Sequence, residues 1–547
     1  SETHPSRPRR RVADDPTRGV GPLADGDGEA NLVRAARGGS VLFSGKLFTY
    51  VARFAITILL TRLLGEDEYG RYNLALTLPA FAASFAILGL DTAVIRFVAL
   101  HAGRGETGRV LGVLQLGLLL PIAVSLAFAA ILFAIAPWVA SEIFHDKRLG
   151  NLIRLAVLTI PLLAAINQLD AALTGLRHIE RSVVATHFIQ PVLRLVLIAA
   201  LAVVGLTAAW AIVAYVIAIG AVTALLVLRL RRTFSIRTAG PAERDPRPLI
   251  AYSLPVYLSN VATVAGDNLQ IILLGALSTV ATVGIFAVAN QVTMIGKMFH
   301  TAVTAASMPL IAQIHDQGDR TQLAAFFRTT TRWTTTFNLP FLLILVLFAG
   351  PLMAIFGKGF EVGAEALALL AVANLAIFAT GPVGAIIDMT GNTRLKLANS
   401  VALVTLSIGL NVALIPGLGL YGAAVAALVA NVAINVARLV EVYVLLRIQP
   451  YDASFLKPLA AGAVGAAAAL AVGAVVPADQ RGLAALVGSL ALVGAYVATI
   501  LALGLSPEDR ALLGRVRDRL LGDRGARRAA RRDARREARR AARRGAD

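Results

Sequence analysis

Apolar residues fall into blocks of twenty or more from about residue 41 to residue 505, separated by short stretches of glycine, arginine and acids. A helix rises ~1.5 Å per residue and a hydrocarbon core is about 30 Å thick, so ~20 apolar residues make one membrane crossing. The pattern predicts fourteen spans, near 41–64, 74–99, 111–137, 150–176, 182–205, 208–230, 248–275, 281–312, 325–349, 362–389, 395–415, 420–446, 455–477 and 482–505. The last two are so rich in alanine and glycine that only their length marks them. The expected fold is an all-α polytopic membrane protein, and an even number of spans puts both termini on one side.

The spans repeat. Tyr69-Gly70-Arg71-Tyr72 near the second is echoed by Val283-Gly284-Ile285-Phe286 near the eighth, with the glycines 214 residues apart. Gly205-Leu206-Thr207-Ala208-Ala209 and Gly419-Leu420-Tyr421-Gly422-Ala423 share that offset of 214, and Thr174-Gly175 precedes Thr390-Gly391 by 216. Shared spacing of this kind predicts two six-helix lobes of equal topology, related by a pseudo-two-fold axis along the membrane normal. The expected division is a basic disordered tail over 1–39, an N-lobe over 40–230, a linker over 231–247 and a C-lobe over 248–447. Two further helices over 455–505 and an arginine-rich tail over 506–547 complete it.

Composition agrees. The 547 residues are 57% hydrophobic and 16% charged, with mean hydropathy +0.71, against roughly 25% charged in a soluble domain. The formal charge of +19 is unevenly placed. Short loops retain Lys and Arg on the cytoplasmic side, and placing the termini there gives seventeen basic residues in inner loops against six in outer ones. Both termini are therefore expected in the cytoplasm, with the chain in the cell (inner or plasma) membrane. Arginine pairs recur every four residues from Arg527 to Arg544, a basic stripe that anionic lipid headgroups would attract. Zero cysteines exclude disulfides and thiolate chemistry.

Two parallel lobes with a cleft between them suit an alternating-access carrier. The run Leu60-Thr61-Arg62-Leu63-Leu64-Gly65-Glu66-Asp67-Glu68-Tyr69-Gly70-Arg71-Tyr72, followed by Leu88-Gly89-Leu90-Asp91-Thr92-Ala93-Val94-Ile95-Arg96-Phe97, resembles the opening signature of the polysaccharide repeat-unit flippases. These are a branch of the MATE-like multidrug/oligosaccharidyl-lipid/polysaccharide exporter superfamily. Ser253-Leu254-Pro255-Val256-Tyr257-Leu258-Ser259-Asn260 and Ser307-Met308-Pro309-Leu310 add to the likeness, which covers roughly residues 40 to 505. The resemblance implies a carrier that flips polyprenyl-pyrophosphate-linked oligosaccharide from the inner to the outer leaflet. It also implies coupling to a proton or sodium gradient.

An ionisable group near mid-bilayer costs about 2.5 to 3.5 kcal/mol on insertion scales and normally faces a cavity or a partner. Lys46 and Arg53 lie seven residues apart on one face of the first span, His187 and Arg194 repeat that spacing on the fifth, and Lys297 and His300 are central in the eighth. Arg53, Lys297, Lys46 and Arg194 are the expected substrate-binding cations, meeting pyrophosphate through charge-assisted hydrogen bonds. Superfamily members that move peptidoglycan precursor similarly carry cations on the first and eighth helices. A static ion pair between helices is the competing reading. Asp267 and Asp91 are the ion-coupling candidates, with a buried salt bridge as the alternative for each. Arg96, Arg154, Arg438 and Glu441 are expected nearer the interfaces, where long side chains reach water.

No P-loop, His-Glu-x-x-His, Cys-x-x-Cys or glycine-rich nucleotide motif occurs. No catalytic residue, cofactor or metal site is expected. The competing functions are a lipid II-type or other lipid flippase, a multidrug exporter, and a membrane polysaccharide polymerase or glycosyltransferase. The last would carry a longer outer loop than the dozen residues near 138–149 or 350–361. The expected partners are the lipid-linked oligosaccharide, membrane lipids at the C-terminal tail and other polysaccharide assembly proteins, with the chain itself a monomer.

Overall fold

The computed structural model describes residues 25–504 except 235–239 and 478–479, together with Arg510; the side chains of 25–40, 255–256, 258–267 and 393 are not among those described. The expectations for residues 1–24, for the paired arginines of the C-terminal tail and for the Asp267 side chain fall outside the described residues.

Every described element is helical. Helix α1, Asp25–Ala86, turns sharply at Gly65 (φ 74°). It is followed by α2, Leu90–Gly103, and by α3, Thr107–Trp138, which continues as a π-turn over Val139–Ile143. Helices α4, Lys147–Ala156, and α5, Thr159–Gly175, share one span. A short α6, Ile179–Val183, passes through a second π-turn, Val184–Ile189, into α7, Gln190–Ala202, and α8, Ala208–Thr233, ends the first half. The second half holds α9, Pro246–Leu277, α10, Val280–Asp316, α11, Arg320–Leu347, and the short α12, Ala349–Ala354. It continues with α13, Ala364–Ala379, α14, Val383–Met389, and α15, Thr393–Leu446, which turns at Gly419 (φ 53°). Helices α16, Leu456–Val475, and α17, Arg481–Ala502, pack on each other, and both pack on α11.

Helix starts follow from short polar side chains just ahead of apolar runs. Asp146, Asp245 and Asp319 accept backbone N–H bonds from Arg148, Arg247 and Gln322 at 2.9, 3.2 and 2.8 Å, filling donors that a first helical turn leaves open. Thr279 caps α10 in the same way.

Among the described residues, ten helices are long and apolar enough to cross a membrane. Two of these, Val41–Ala86 and Arg394–Leu446, contain the turns at Gly65 and Gly419 and so fold back on themselves. The expected fourteen counts each of them as two and adds α9 and α11, which lie outside the ten. Three boundaries differ from the sequence reading. Helical backbone reaches back to Asp25, into the stretch expected as a disordered tail. The span expected over 74–99 is broken at residues 87–89, where Leu88 and Gly89 both adopt positive φ. The span over 362–389 is interrupted at Gly381-Pro382, between α13 and α14.

The core explains how the halves meet. One buried cluster joins both, with Leu74, Ala140 and Ile153 from the first and Val283, Phe286 and Ala424 from the second. It lies toward the end of the bundle that carries Gly65, Asp146, Ser278 and Gly419. Toward the opposite end, among the described residues, the core is split into smaller clusters. Ile311, Phe327, Ile386 and Val442 form a cluster within the second half. Leu90, Val98, Val110 and Ala172 form another in the first, which Leu249 at the start of α9 joins. Among the described residues the bundle thus has one continuous core at one end and smaller cores at the other, where Leu249 and the approach of Gly89 to Ser253 still link the halves.

The seal rests on two glycines, one from each half. A side chain at Gly70 would collide with the Val280 carbonyl, and one at Gly284 with the Glu66 carbonyl, while the Gly284 side-chain position lies only 3.2 Å from the Gly70 Cα. Helix backbones from the two halves touch here because neither residue has a Cβ.

At the other end the segment between the halves is strapped to α3. Glu243 accepts from Arg109 at 3.0 Å, its N–H bonds the Gly108 carbonyl at 3.1 Å, and Arg244 donates to Gln115 at 2.8 Å. Glu106 sits beside Arg109 at 3.3 Å and contacts His101 at 2.6 Å. The hydrogen bond to His101 holds the Glu106 carboxyl below its usual range; desolvation opposes this, and Arg109, His101 and Arg104 add attraction.

Candidate functional site

Arg53 and Arg194 meet on the wall of one cavity of about 300 Å³ between the halves. Helix α1 supplies Arg53, one turn before Ile56 and two before Leu60, which belong to the joined core. Arg194 stands on α7 just after the π-turn, which widens the helix and sets the direction of the residues beyond it. That π-turn is pinned to α1. Thr49 contacts the His187 ring at 2.9 Å and donates to the His187 carbonyl at 3.2 Å, and Phe48 stacks on Phe188 with centroids 4.9 Å apart. The two cation-bearing helices are therefore held in register one turn below the cavity.

Aromatic rings orient Arg194. Its Nη2 donates to the Tyr72 hydroxyl, and its guanidinium lies 4.6 Å from the centre of the Tyr215 ring, a cation–π contact. Tyr72 is 3% exposed and stacks on Tyr69. The Arg194 Nε is buried and has no hydrogen-bond partner. Arg53 forms no hydrogen bond or ion pair among the described residues and is exposed to the cavity. Among the described residues no aspartate or glutamate lines this space; Asn73, Asn268, Asn290 and Gln291 supply amides there, and Thr57, Thr77 and Thr159 hydroxyls. Two guanidinium groups with no facing acid among the described residues make a site for a doubly charged anion, each offering a fork of donors to phosphate oxygens. Tyr72→Phe should remove one acceptor from a buried arginine, lowering stability by about 1.5–3 kcal/mol. Thermal unfolding of the purified protein checks this, and an unchanged midpoint would mean the hydroxyl is dispensable.

The other expected site residues are separated. Lys297 lines a neighbouring cavity of about 210 Å³, formed by α9, α10, α13 and α15. Asn290 and Met294 of α10 stand in both walls, so the two spaces are adjacent. Arg438, expected at an interface, also lines this second cavity. It reaches over Gly384 of α14, where no side chain blocks it. Depth along the helix placed Arg438 near water; its direction around the helix carries it inward. Lys46 is exposed and on neither wall. Asp91 lies in the first turn of α2, also off both walls, with a buried Oδ1 that has no partner. Asp170 accepts from Ser182, and Asp388 pairs with Lys396 at 2.9 Å. The sequence did not single out Tyr72, Tyr215 or Asn374. Tyr72 alone stood inside a motif.

A two-lobed, all-helical membrane bundle with a cationic cavity between its halves defines the class of a membrane carrier. The polysaccharide biosynthesis protein family model matches residues 35–315, and the chain belongs to that family. A second model, MatE, matches residues 255–415. A probable flippase, AglR, of Haloferax volcanii is 24% identical over 216 residues, 38% of this chain and 45% of that protein. Stage V sporulation protein B of Bacillus subtilis is 24% identical over 165 residues, 30% of this chain and 31% of that protein. The chain thus matches less than half the length of these curated relatives. Among solved structures, the lipid II flippase MurJ in an inward closed conformation superposes with TM-score 0.68 at 13% identity, covering 84% of this chain and 98% of that one. An inward-facing multidrug resistance MATE family transporter superposes with TM-score 0.60 at 16% identity, covering 73% and 94%. These likenesses show the fold, and with the family match they place the chain in the superfamily its motifs resemble.

Proposed function

We propose that this chain is a flippase that carries polyprenyl-pyrophosphate-linked oligosaccharide repeat units from the inner to the outer leaflet by alternating access, using a cation gradient. The observation that carries the reading is the pair Arg53 and Arg194 on one wall, with no acid facing them among the described residues. A pyrophosphate that leaves water for the bilayer loses its hydration, and this pair replaces it with charge-assisted hydrogen bonds. Packing supports the transport cycle. A bundle with a continuous core at one end and, among the described residues, smaller cores at the other can rock by exchanging which end is packed. The bias of basic loops supports placing the divided end, with both termini, in the cytoplasm. Asp91, with its unpartnered buried oxygen, is the described residue that best suits ion coupling, and Asp267 on α9 is the second candidate.

The test is transfer in liposomes. Purified protein is expected to move a pyrophosphate-linked oligosaccharide lipid across the bilayer, faster with an imposed proton or sodium gradient, and to move a cationic drug no faster than protein-free liposomes. Transfer of lipid II alone would replace the substrate with a peptidoglycan precursor, and drug transport alone would overturn the reading.

A further inference from the structure

The second cavity is lined by more hydrogen-bonding groups than one anion needs. Gln270, Asn290, Asn374, Asn431, Ser400 and Ser407 stand around it, with Lys297 and Arg438. Some are already engaged: Gln270 donates to the Ala423 carbonyl at 2.7 Å and Asn431 to the Ala427 carbonyl at 2.9 Å. Asn374 differs. It is 3% exposed, lines the cavity, and makes no side-chain hydrogen bond among the described residues. A buried amide with open donors and acceptor is a strong demand for a polar ligand. Asn290, half-buried on the wall shared with the Arg53 cavity, likewise makes no side-chain hydrogen bond among the described residues.

Arg438 adds a charge. It forms no hydrogen bond or ion pair among the described residues, although Asp388 and Glu441 act on it from nearby. Both acids have other partners, Lys396 at 2.9 Å and Asn399 at 2.7 Å. A space with unpaired amides, hydroxyls and one planar cation matches a sugar ring bearing a carboxylate, with hydroxyls for the amides and a carboxylate for the guanidinium fork.

We propose that the cavity holding Asn374 and Arg438 is a saccharide subsite that takes an acidic sugar, a uronic acid residue of the same molecule whose pyrophosphate lies on Arg53 and Arg194. This rests on the reading of the chain as a lipid-linked oligosaccharide carrier. The shared wall at Asn290 and Met294 lets one ligand occupy both spaces, phosphate in the first and sugar in the second. The substrate then carries negative charge at both ends of its headgroup.

Binding of soluble probes to the purified full chain in nanodiscs tests this. Glucuronate, glucose and inorganic pyrophosphate are titrated separately, with binding read by saturation-transfer NMR for the sugars and calorimetry for pyrophosphate. Glucuronate is expected to bind more tightly than glucose, and Arg438→Gln to weaken glucuronate about tenfold or more. Pyrophosphate affinity should be unaffected by Arg438→Gln and should fall with Arg53→Gln. Asn374→Asp, which keeps the volume but repels a carboxylate, should abolish glucuronate binding, and Arg438→Lys should recover part of the loss from Arg438→Gln. The inference is overturned if neither sugar binds, if glucose and glucuronate bind alike, or if Arg438→Gln weakens pyrophosphate as much as Arg53→Gln does. Loss of pyrophosphate binding alone, with glucuronate retained at Arg438, would overturn the carrier reading and leave the acidic-sugar site standing. Thermal unfolding of each variant separates binding loss from misfolding.

Discussion

Arg53→Gln should cut transport of a pyrophosphate-linked glycolipid by about tenfold to a hundredfold while the protein folds and inserts normally, the loss expected for one charge-assisted contact. Because Arg53 makes no hydrogen bond or ion pair among the described residues, its removal should leave the thermal midpoint unchanged or raise it. Arg53→Lys should keep part of the activity, since a point charge still meets phosphate without the bidentate fork. An arginine of a different kind serves as the control. Arg154 packs over the Phe133 ring at 5.1 Å and donates to the Phe133 carbonyl at 3.3 Å, away from both cavities, and Arg154→Gln should change transport little. Transport by Arg53→Gln at the original rate, in liposomes of matched protein content, would remove the proposed substrate path. A fall in both stability and rate would instead make Arg53 structural.

Gly70→Val should do the opposite: stability falls and the sealed end opens. Its side chain would enter the Val280 carbonyl, and the matching change Gly284→Val would enter the Glu66 carbonyl. Forcing methyl groups into a packed contact costs typically about 1–3 kcal/mol, and here backbone rather than a flexible side chain must move. The strain acts on one conformation, the one in which this end is closed, so its effect should appear as a population shift. The chain has no cysteine, which allows a single reporter in the cavity wall, Asn290→Cys, without background labelling. An impermeant maleimide offered from the Gly70 side should label the reporter faster in Gly70→Val than in the parent, and one offered from the opposite side more slowly. Unchanged labelling from both sides in a folded variant would show that this contact does not gate the cavity.

Much of this was written in the sequence, and the part that was not has a common cause. Residue counting gives depth: seven-residue spacing put Lys46 with Arg53 and His187 with Arg194, and Arg53 and Arg194 do share a wall. Counting does not give rotation about the helix axis. The π-turn over Val184–Ile189 and the breaks at Gly65 and residues 87–89 each redirect the segment beyond them. Arg194 therefore meets Tyr72 and Tyr215, which no spacing rule indicated. Arg438 turns inward over Gly384, and Lys297 faces a different space from Arg53. Asn374 carries no sequence signal, since an asparagine on an apolar helix reads equally as an interhelical hydrogen bond. The segment containing the broken second span was legible only through its motif, because the motif glycines are also the residues that break the period.

The contact between Gly70 and Gly284 also bears on how such a chain arose. In a two-fold homodimer, the residue that lies on the axis meets its own copy. Here Gly70 and Gly284, 214 residues apart in the sequence, meet each other, the contact expected if two like halves had paired through this surface before they were joined. Fusion changes the arithmetic of variation at that point. In a dimer of identical halves, one altered codon would place a side chain on both sides of the axis at once; in the fused chain the two sides can drift separately. Separate drift of this kind is what a chain needs to hold a guanidinium pair in one cavity and an amide-rich wall in the other.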